Sequence, residues 1–298
     1  MGLMDGKVAI VTGAGRGIGR GEAILLAREG ASVVVNELDP DVGQSVVDEI
    51  RAAGGIAVLD TGDCSETDAA ERLVHHAIEE FGTLDALVNN AGILRDRTIA
   101  KMTPEEWDAV IKVHLRGHYA PTHVACAWWK DEGKPGHIVC TASSSGLLGN
   151  FGQANYGAAK AGIAAFSTIV AQEMARYGVT CNAIAPAART RMTEGAYGEI
   201  KGGTEGFDFW HPDNVAPMVV FLCSDAAGHI SGKVFGVQGD TVELYRPFTS
   251  VAVVDNGGSA WAPSVLAGRV GELFDAGGIV PGAENMMAKL RYTMTQRS

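Results

Sequence analysis

The stretch KVAIVTGAGRGIGRGEAILLAREGASVVV, residues 7–35, decides the fold. Lys7 to Thr12 is short and apolar, as expected of a central parallel strand buried on both faces. A glycine-rich turn follows, then a helical pattern from Glu22 to Glu29 that Gly30 stops as a C′ residue would. Ser32 to Val35 is the next apolar run. Gly13, Gly17 and Gly19 therefore sit in a strand–turn–helix–strand unit. There they permit a tight turn and let a pyrophosphate approach backbone N–H groups at a helix N-terminus. A glycine fingerprint alone is a weak signal, and a purely structural turn is the competing reading. Its place between a strand and a helix gives this one weight for dinucleotide binding.

Glu37 falls just past the second strand, where a carboxylate can accept hydrogen bonds from the ribose hydroxyls of NAD and would repel a 2′-phosphate. Arg16, inside the turn, pulls the other way, since it could pair with a phosphate. Glu37, Asp39 and Asp41 cluster at the strand end, which favours NAD over NADP. The competing reading is a solvated acidic loop.

Working outward, Asp41 to Ala53 reads as a helix, ended by Gly54-Gly55, and Ile56 to Leu59 as the third strand. Asp63 and Cys64 lie past its end, where an adenine ring could sit. Ser65-Glu66-Thr67-Asp68 is expected to cap a helix running to Phe81. Leu84 to Val88 is the fourth strand and leads into Asn89-Asn90-Ala91-Gly92. The Asn side chains there can tie strand ends together, and the small residues leave room for a cofactor. Thr103-Pro104-Glu105-Glu106 is a capping box with Pro at the first helical position. The helix behind it carries Trp107, Val110, Ile111, His114, Leu115 and His118 towards Trp129.

Gly133 to Gly136 is a turn, and His137 to Cys140 is a strand leading into TASSSGLLGNFGQANYGAAK, residues 141–160. Tyr156 and Lys160, four apart, share one face of a helix. Ser143 comes thirteen residues before the tyrosine, at the strand end. A hydroxyl, a phenol and an ammonium that meet there can move a proton to or from an alcohol oxygen, because an adjacent ammonium favours the phenolate. An incidental Tyr and Lys in a helix of small residues is the plain alternative, for the spacing alone is common.

The helix from Tyr156 to Tyr177 is rich in Ala and Gly, which suits close packing. Val179 to Ile184 is a strand, ended by Ala185-Pro186. Residues 194–212, EGAYGEIKGGTEGFDFWHP, read either as a flap with an apolar tip or as a surface loop whose aromatics fill a core gap. Asp213 to Ser224 is a helix, and Val234 to Val237 the last strand. Residues 246–298 look like an appended tail with short helices around Ser264–Phe274 and Glu284–Arg291. The expected fold is α/β: a doubly wound parallel sheet, residues 1–245 forming a Rossmann domain, with a C-terminal helical extension, 246–298, packed on it or on a partner.

The chain has 298 residues, 39 of them glycine, and a net charge of −11. Lys and Arg form no run, which argues against nucleic acid and anionic membrane surfaces as partners. No apolar stretch approaches the roughly 20 residues that span a bilayer. The N-terminus carries no secretory pattern, and the terminal Thr295-Gln296-Arg297-Ser298 is not a peroxisomal address. Cys64, Cys126, Cys140, Cys181 and Cys223 are scattered. Free buried thiols in a reducing cytoplasm are the expectation. His114 and His118 share a helix face, but no carboxylate joins them in a metal-binding pattern, so no metal is expected.

The set TGxxxGxG at 12–19, NNAG at 89–92, Ser143 and YxxxK at 156–160 resembles the short-chain dehydrogenase/reductase family, with matching spacing over residues 5–245. NNAGILRDR (89–97), VHLRGHY (113–119), GNFGQANYGAAK (149–160), APAARTRMT (185–193) and VAPMVVFLC (215–223) are similar to a narrower group. That group is the (3R)-hydroxyacyl-CoA dehydrogenase domains of type 2 multifunctional β-oxidation enzymes, also called 17β-hydroxysteroid dehydrogenases type 4. The hydratase and sterol-carrier segments of those enzymes are not in this chain.

The resemblance implies Tyr156 as catalytic acid/base, Ser143 as holder of the substrate oxygen, and Lys160 as the group that lowers the tyrosine pKa and binds the nicotinamide ribose. It implies cofactor contacts from Gly13, Arg16, Gly17, Ile18, Gly19, Glu37, Asp63, Cys64, Asn89, Ala91, Gly92, Tyr156 and Lys160. Pro186, Ala188 and Thr190 would lie near the nicotinamide end. His114 stands where the family commonly has Asn, and either relays protons or packs. The usual Pro-Gly is here Pro186-Ala187. The implied activity is hydride transfer between NAD and a secondary alcohol or ketone, a (3R)-3-hydroxyacyl-CoA first and a hydroxysteroid or other hydrophobic alcohol second. A non-catalytic dinucleotide-binding sensor is the alternative from a different class. A homodimer or homotetramer through helices 104–130 and 156–177 is also implied.

Overall fold

The structure, a computed structural model, describes residues 2–192, 206–246, 248–284 and 286. Eight strands form one sheet in the order β3-β2-β1-β4-β5-β6-β7-β8. They are β1 (Val8–Thr12), β2 (Ser32–Asn36), β3 (Ile56–Asp60), β4 (Ala86–Asn89), β5 (Gly136–Thr141), β6 (Val179–Pro186), β7 (Val234–Gln238) and β8 (Thr241–Tyr245). All neighbours pair in parallel except β7 and β8.

Helices α1 (Gly17–Arg28), α2 (Pro40–Ala52), α3 (Thr67–Phe81), α4 (Pro104–Ile111), α5 (Gly117–Glu132), α6 (Ser144–Leu148), α7 (Ala154–Met174) and α8 (Ala216–Leu222) supply the flanking layers. Residues alternate faces along a strand. Accordingly Ala9, Val11, Val33 and Val35 pack with Leu26 of α1, Val47 of α2 and Val219 of α8. Val8, Ile10 and Val34 point the other way, to Leu73 of α3, Trp129 of α5 and Ile163 of α7. This two-sided burial is why the strands read as unbroken apolar runs. The order reverses at β1, between β2 and β4, so a crevice opens beyond the carboxyl ends of these strands.

Several elements differ from the sequence reading. The helix expected from Thr103 towards Trp129 is broken by a π-helical turn, Lys112–Arg116, which carries His114. Within the expected cap of α3, Glu66 is the N-cap but makes no side-chain cap bond, and the Ser65 hydroxyl donates to Asp63. The helix expected at Asp213–Ser224 begins as a 3-10 turn, Pro212–Val215, before α8. β8 was not foreseen. Gly239 and Asp240 reverse the chain, and TVELY runs back antiparallel on β7 with Val242 and Leu244 exposed.

The helix expected at Ser264–Phe274 is two short ones, α9 (Pro263–Arg269) and α10 (Gly271–Gly277), neither with a buried residue. The expected flap lies outside the described residues up to 205. Beyond it, the Phe209 ring fills the space a Cβ on Gly239 would take. The helix expected at Glu284–Arg291 lies outside the described residues except at 284 and 286. Among the described residues no helix is long and apolar enough to cross a membrane.

Candidate active site

Gly13 and Gly17 adopt φ of 62° and 55°, a region that side-chain-bearing residues rarely enter. A Cβ on Gly13 would lie 2.8 Å from the Ala91 Cα, and one on Gly19 would overlap the Asn90 amide and the Gly13 carbonyl. Hydrogen bonds fix this close approach. Asn90 Nδ2 donates to the carbonyls of Thr12 (3.0 Å) and Gly13 (3.1 Å). Thr12 Oγ1 accepts from the N–H groups of Asn90 and Ala91. The turn after β1 and the exit of β4 are thus sewn into one cradle at the start of α1. It has the bare backbone that a pyrophosphate needs, so the residues fit a dinucleotide.

The cradle opens into a cleft of about 540 Å³. Gly13, Arg16, Gly17, Ile18 and Gly19 line its start, and Glu37, Asp63 and Cys64 line it beyond β2 and β3. Ala91, Gly92 and His114 form the middle, and Tyr156, Lys160, Pro186, Ala188 and Thr190 the far end. Asn89 does not line it. Its side chain is buried and donates to Thr122 Oγ1 at 2.9 Å. Ser143 lies two residues beyond β5, almost buried, and its Oγ caps α6 by accepting from the Ser145 N–H.

Sequence reasoning missed Asn36, Leu38, Gly62, Asn90, Ile93, Val113, Thr141 and Met192, all of which line the cleft. Asn90, Ile93, Val113, Thr141 and Met192 lie inside quoted stretches and could have been found there. Asn36, Leu38 and Gly62 lie outside them.

At the acidic end, Glu37 accepts from the N–H groups of Gly15 (3.1 Å) and Asp39 (3.3 Å). Arg16 pairs with Asp39 at 3.1 Å. Burial pushes Asp63 up, but hydrogen bonds from Ser65 and the nearby Lys112 outweigh it and hold the carboxyl below its ordinary range. Burial, helped by Asp63, lifts the Cys64 thiol to about 12, so it is not ionised at neutral pH.

At the other end, Lys160 is 2% exposed, and its Nζ donates to the Thr141 carbonyl at 2.5 Å. The nitrogen lies 5.6 Å from the centroid of the Tyr156 ring. Burial pushes its ammonium down to about 7. His114 meets the main chain of Ile93 through Nε2, 2.7 Å from the carbonyl. Burial first, and the Lys160 charge second, hold His114 well below its usual pKa, so it is a neutral imidazole. Among the described residues no three His, Cys, Asp or Glu side chains gather as a metal site. The arrangement places a phenol, a buried amine and an imidazole around one wall of a dinucleotide-shaped cleft.

The family description short chain dehydrogenase matches residues 7–199. The chain belongs to this family, and it is an oxidoreductase acting on CH–OH groups with a nicotinamide dinucleotide as cofactor. It is 45% identical over 284 residues to a hydroxyacyl-CoA dehydrogenase, ChsB1, of Mycobacterium tuberculosis, covering 91% of this chain and 89% of that one. It is 45% identical over 250 residues to the peroxisomal multifunctional enzyme type 2 of Drosophila melanogaster, covering 81% of this chain but only 40% of that much longer protein. A crystal structure of a short chain dehydrogenase from Mycobacterium avium superposes with a TM-score of 0.85 at 47% identity, covering 92% of this chain and 97% of the other.

Proposed function

We propose that this protein is an NAD-dependent dehydrogenase of (3R)-3-hydroxyacyl-CoA thioesters, or a reductase of the matching 3-ketoacyl-CoA. The observation that carries the reading is Tyr156 and Lys160 side by side on α7, lining the cleft whose other end is the glycine cradle. The relatives named for hydroxyacyl-CoA and multifunctional enzymes support the substrate class. When bound, the nicotinamide ring takes up or gives back the hydride of the carbinol carbon.

The chain's own residues supply the rest. Tyr156 takes the alcohol proton on its phenolic oxygen, and Ser143 steadies that substrate oxygen. The ammonium of Lys160 favours the phenolate and binds the nicotinamide ribose. Ile93, Val113 and Met192 give the substrate end apolar walls. Glu37 at the adenosine end, and Arg16 already engaged by Asp39, support NAD over NADP.

The reading includes a homo-oligomer through α4–α5 and α7, where Trp107, Tyr119 and Ile169 are exposed. Steady-state assays with (3R)- and (3S)-hydroxyacyl-CoA and a hydroxysteroid panel, each with NAD and NADP, test it. The (3R) thioester with NAD should give the highest kcat/KM. Turnover of steroids alone overturns the substrate, and preference for NADP overturns the role of Glu37.

A further inference from the structure

β6 pairs with β7 as far as Pro186 and Val237, and the Ala187 N–H still donates to the Val237 carbonyl at 3.0 Å. Beyond it the chain leaves the sheet and runs along the far end of the cleft, where Ala188 and Thr190 form part of the wall. Thr190 also reaches the glycine turn: its Cγ2 lies 3.4 Å from where a Cβ on Gly17 would stand.

Arg189, between these two, ties the stretch to a second segment. Its N–H donates to the Trp210 carbonyl at 2.7 Å. Its guanidinium meets the Asp208 carboxylate through two nitrogens, Nη1 to Oδ1 at 3.3 Å and Nη2 to Oδ2. A bidentate pair fixes direction as well as distance. The two side chains are only 23% and 29% exposed, so water and salt screen the pair in part.

Asp208 is itself held. Its Oδ1 accepts the Trp210 N–H at 3.2 Å, and its carbonyl accepts from the His211 N–H at 3.0 Å and from Asn214 Nδ2 at 2.8 Å. On one side of this segment the Phe209 ring packs on Gly239, in the turn after β7. On the other, Asp213 Oδ1 lies 2.5 Å from where a Cβ on Gly21 of α1 would stand. Residues 208–214 are thus wedged between that turn and the helix that starts at the glycine cradle.

We propose that Arg189 and Asp208 are positioning residues for the cofactor: their ion pair holds residues 188–190 where these meet the phosphates and the nicotinamide half of a bound dinucleotide. The proposal rests on the reading that gives the far end of the cleft to the nicotinamide. Without the pair, the stretch occupies this place only part of the time, and dinucleotide affinity falls by that fraction. The adenosine end, lined by Glu37 and Asp63 beyond β2 and β3, is built from other segments and keeps its shape.

Calorimetric titration of the full chain with NAD or NADP, whichever the wild-type protein binds more tightly, tests this on three variants. Asp208→Asn keeps an oxygen for the Trp210 N–H but removes the charge and turns a donor towards Arg189. Arg189→Met keeps the apolar stem and removes the guanidinium. Each should raise the dissociation constant roughly tenfold, the change expected if the stretch holds its place about a tenth of the time. The double variant should add no more than about twofold, because the second change removes a partner already lost.

Adenosine, which lacks the phosphates and the nicotinamide half, separates positioning from general damage. Its dissociation constant, read by NMR titration, should stay within about twofold of wild type in every variant, since its contacts are distant from the pair. Unchanged dinucleotide affinity in Asp208→Asn, losses that multiply in the double variant, or an equal loss for adenosine overturns the proposal. If Arg189→Met does not fold, Asp208→Asn decides alone. If the wild-type protein oxidises no alcohol, the functional reading fails, while these binding constants still decide the role of the pair.

Discussion

The imidazole of His114 stands edge-on to the phenol of Tyr156, with ring centroids 5.2 Å apart and planes at 87°. The ring of Tyr156 is thus a packing element as well as the carrier of a hydroxyl, and the two roles separate by substitution. Tyr156→Phe keeps the edge contact and removes the group that moves the proton. Turnover should fall at least roughly a thousandfold, near the upper reach of general acid–base catalysis. Cofactor affinity, read by fluorescence titration, should stay within about twofold. Full activity in the variant would mean that another group moves the proton.

Lys160 and Glu22 should tilt the stability of the cofactor-free protein against pH in opposite directions. The folded pKa of Lys160, about 7, lies below that of an unfolded lysine. Between these values the unfolded chain binds the extra proton, so this group makes stability rise from about pH 7 towards pH 10. Lys160→Met should flatten that rise, as measured by thermal melts across the range. An unchanged slope would show that Lys160 is already charged and compensated in the folded protein.

Glu22 on α1 is fully buried, and neither carboxyl oxygen has a hydrogen-bond partner among the described residues. Burial lifts its pKa to about 8. Here the folded state holds the extra proton, so stability falls as pH rises from about 4.5 to 8. Glu22→Met removes a group that is costly to ionise. It should stabilise the protein at pH 8 by on the order of 2 kcal/mol and have little effect at pH 5. Denaturant titrations at the two pH values check this. Equal effects at both would mean that packing, not charge, is the cause.

The cradle should not tolerate a single methyl group at Gly19. The Cβ would overlap Asn90 Nδ2 and the Gly13 carbonyl, and the latter is main chain that cannot swing aside. Gly19→Ala should weaken cofactor binding by about a hundredfold and cost about 1–3 kcal/mol of stability. Calorimetric titration and chemical denaturation measure the two effects. Gly54→Ala is the control: that position has φ of 85° but nothing near its Cβ, so cofactor affinity should not change.

Asn155, the residue before Tyr156, is fully buried and ties three segments together. Its Nδ2 donates to the carbonyls of Arg95 (3.0 Å) and Glu106 (3.1 Å), and its Oδ1 accepts from the Tyr156 N–H at 2.7 Å. Asn155→Leu takes a side-chain partner from all three backbone groups, at about 2–4 kcal/mol in total. The melting temperature should drop by several degrees, and kcat should fall because Tyr156 loses its N-terminal anchor. An unchanged kcat would show that α7 alone holds the phenol in place.

Local patterns in the sequence determined much of this protein. The apolar runs of β1 to β6, the glycine turn, the capping box at Thr103 and the four-residue step from Tyr156 to Lys160 all follow from periodicity and turn chemistry. These are set by neighbours along the chain. The capping box is present in both directions, from Thr103 to Glu106 and back.

Only the tertiary structure decided the rest. The main chain of Thr141 meets His118 Nε2 and Lys160 Nζ, from two helices that only packing brings to the end of β5. The same holds for the orphaned carboxyl of Glu22, which reads as an ordinary helical glutamate until α8 closes over α1. Hydrogen bonds and burial between residues distant in sequence depend on register and layer packing, and no local pattern encodes those.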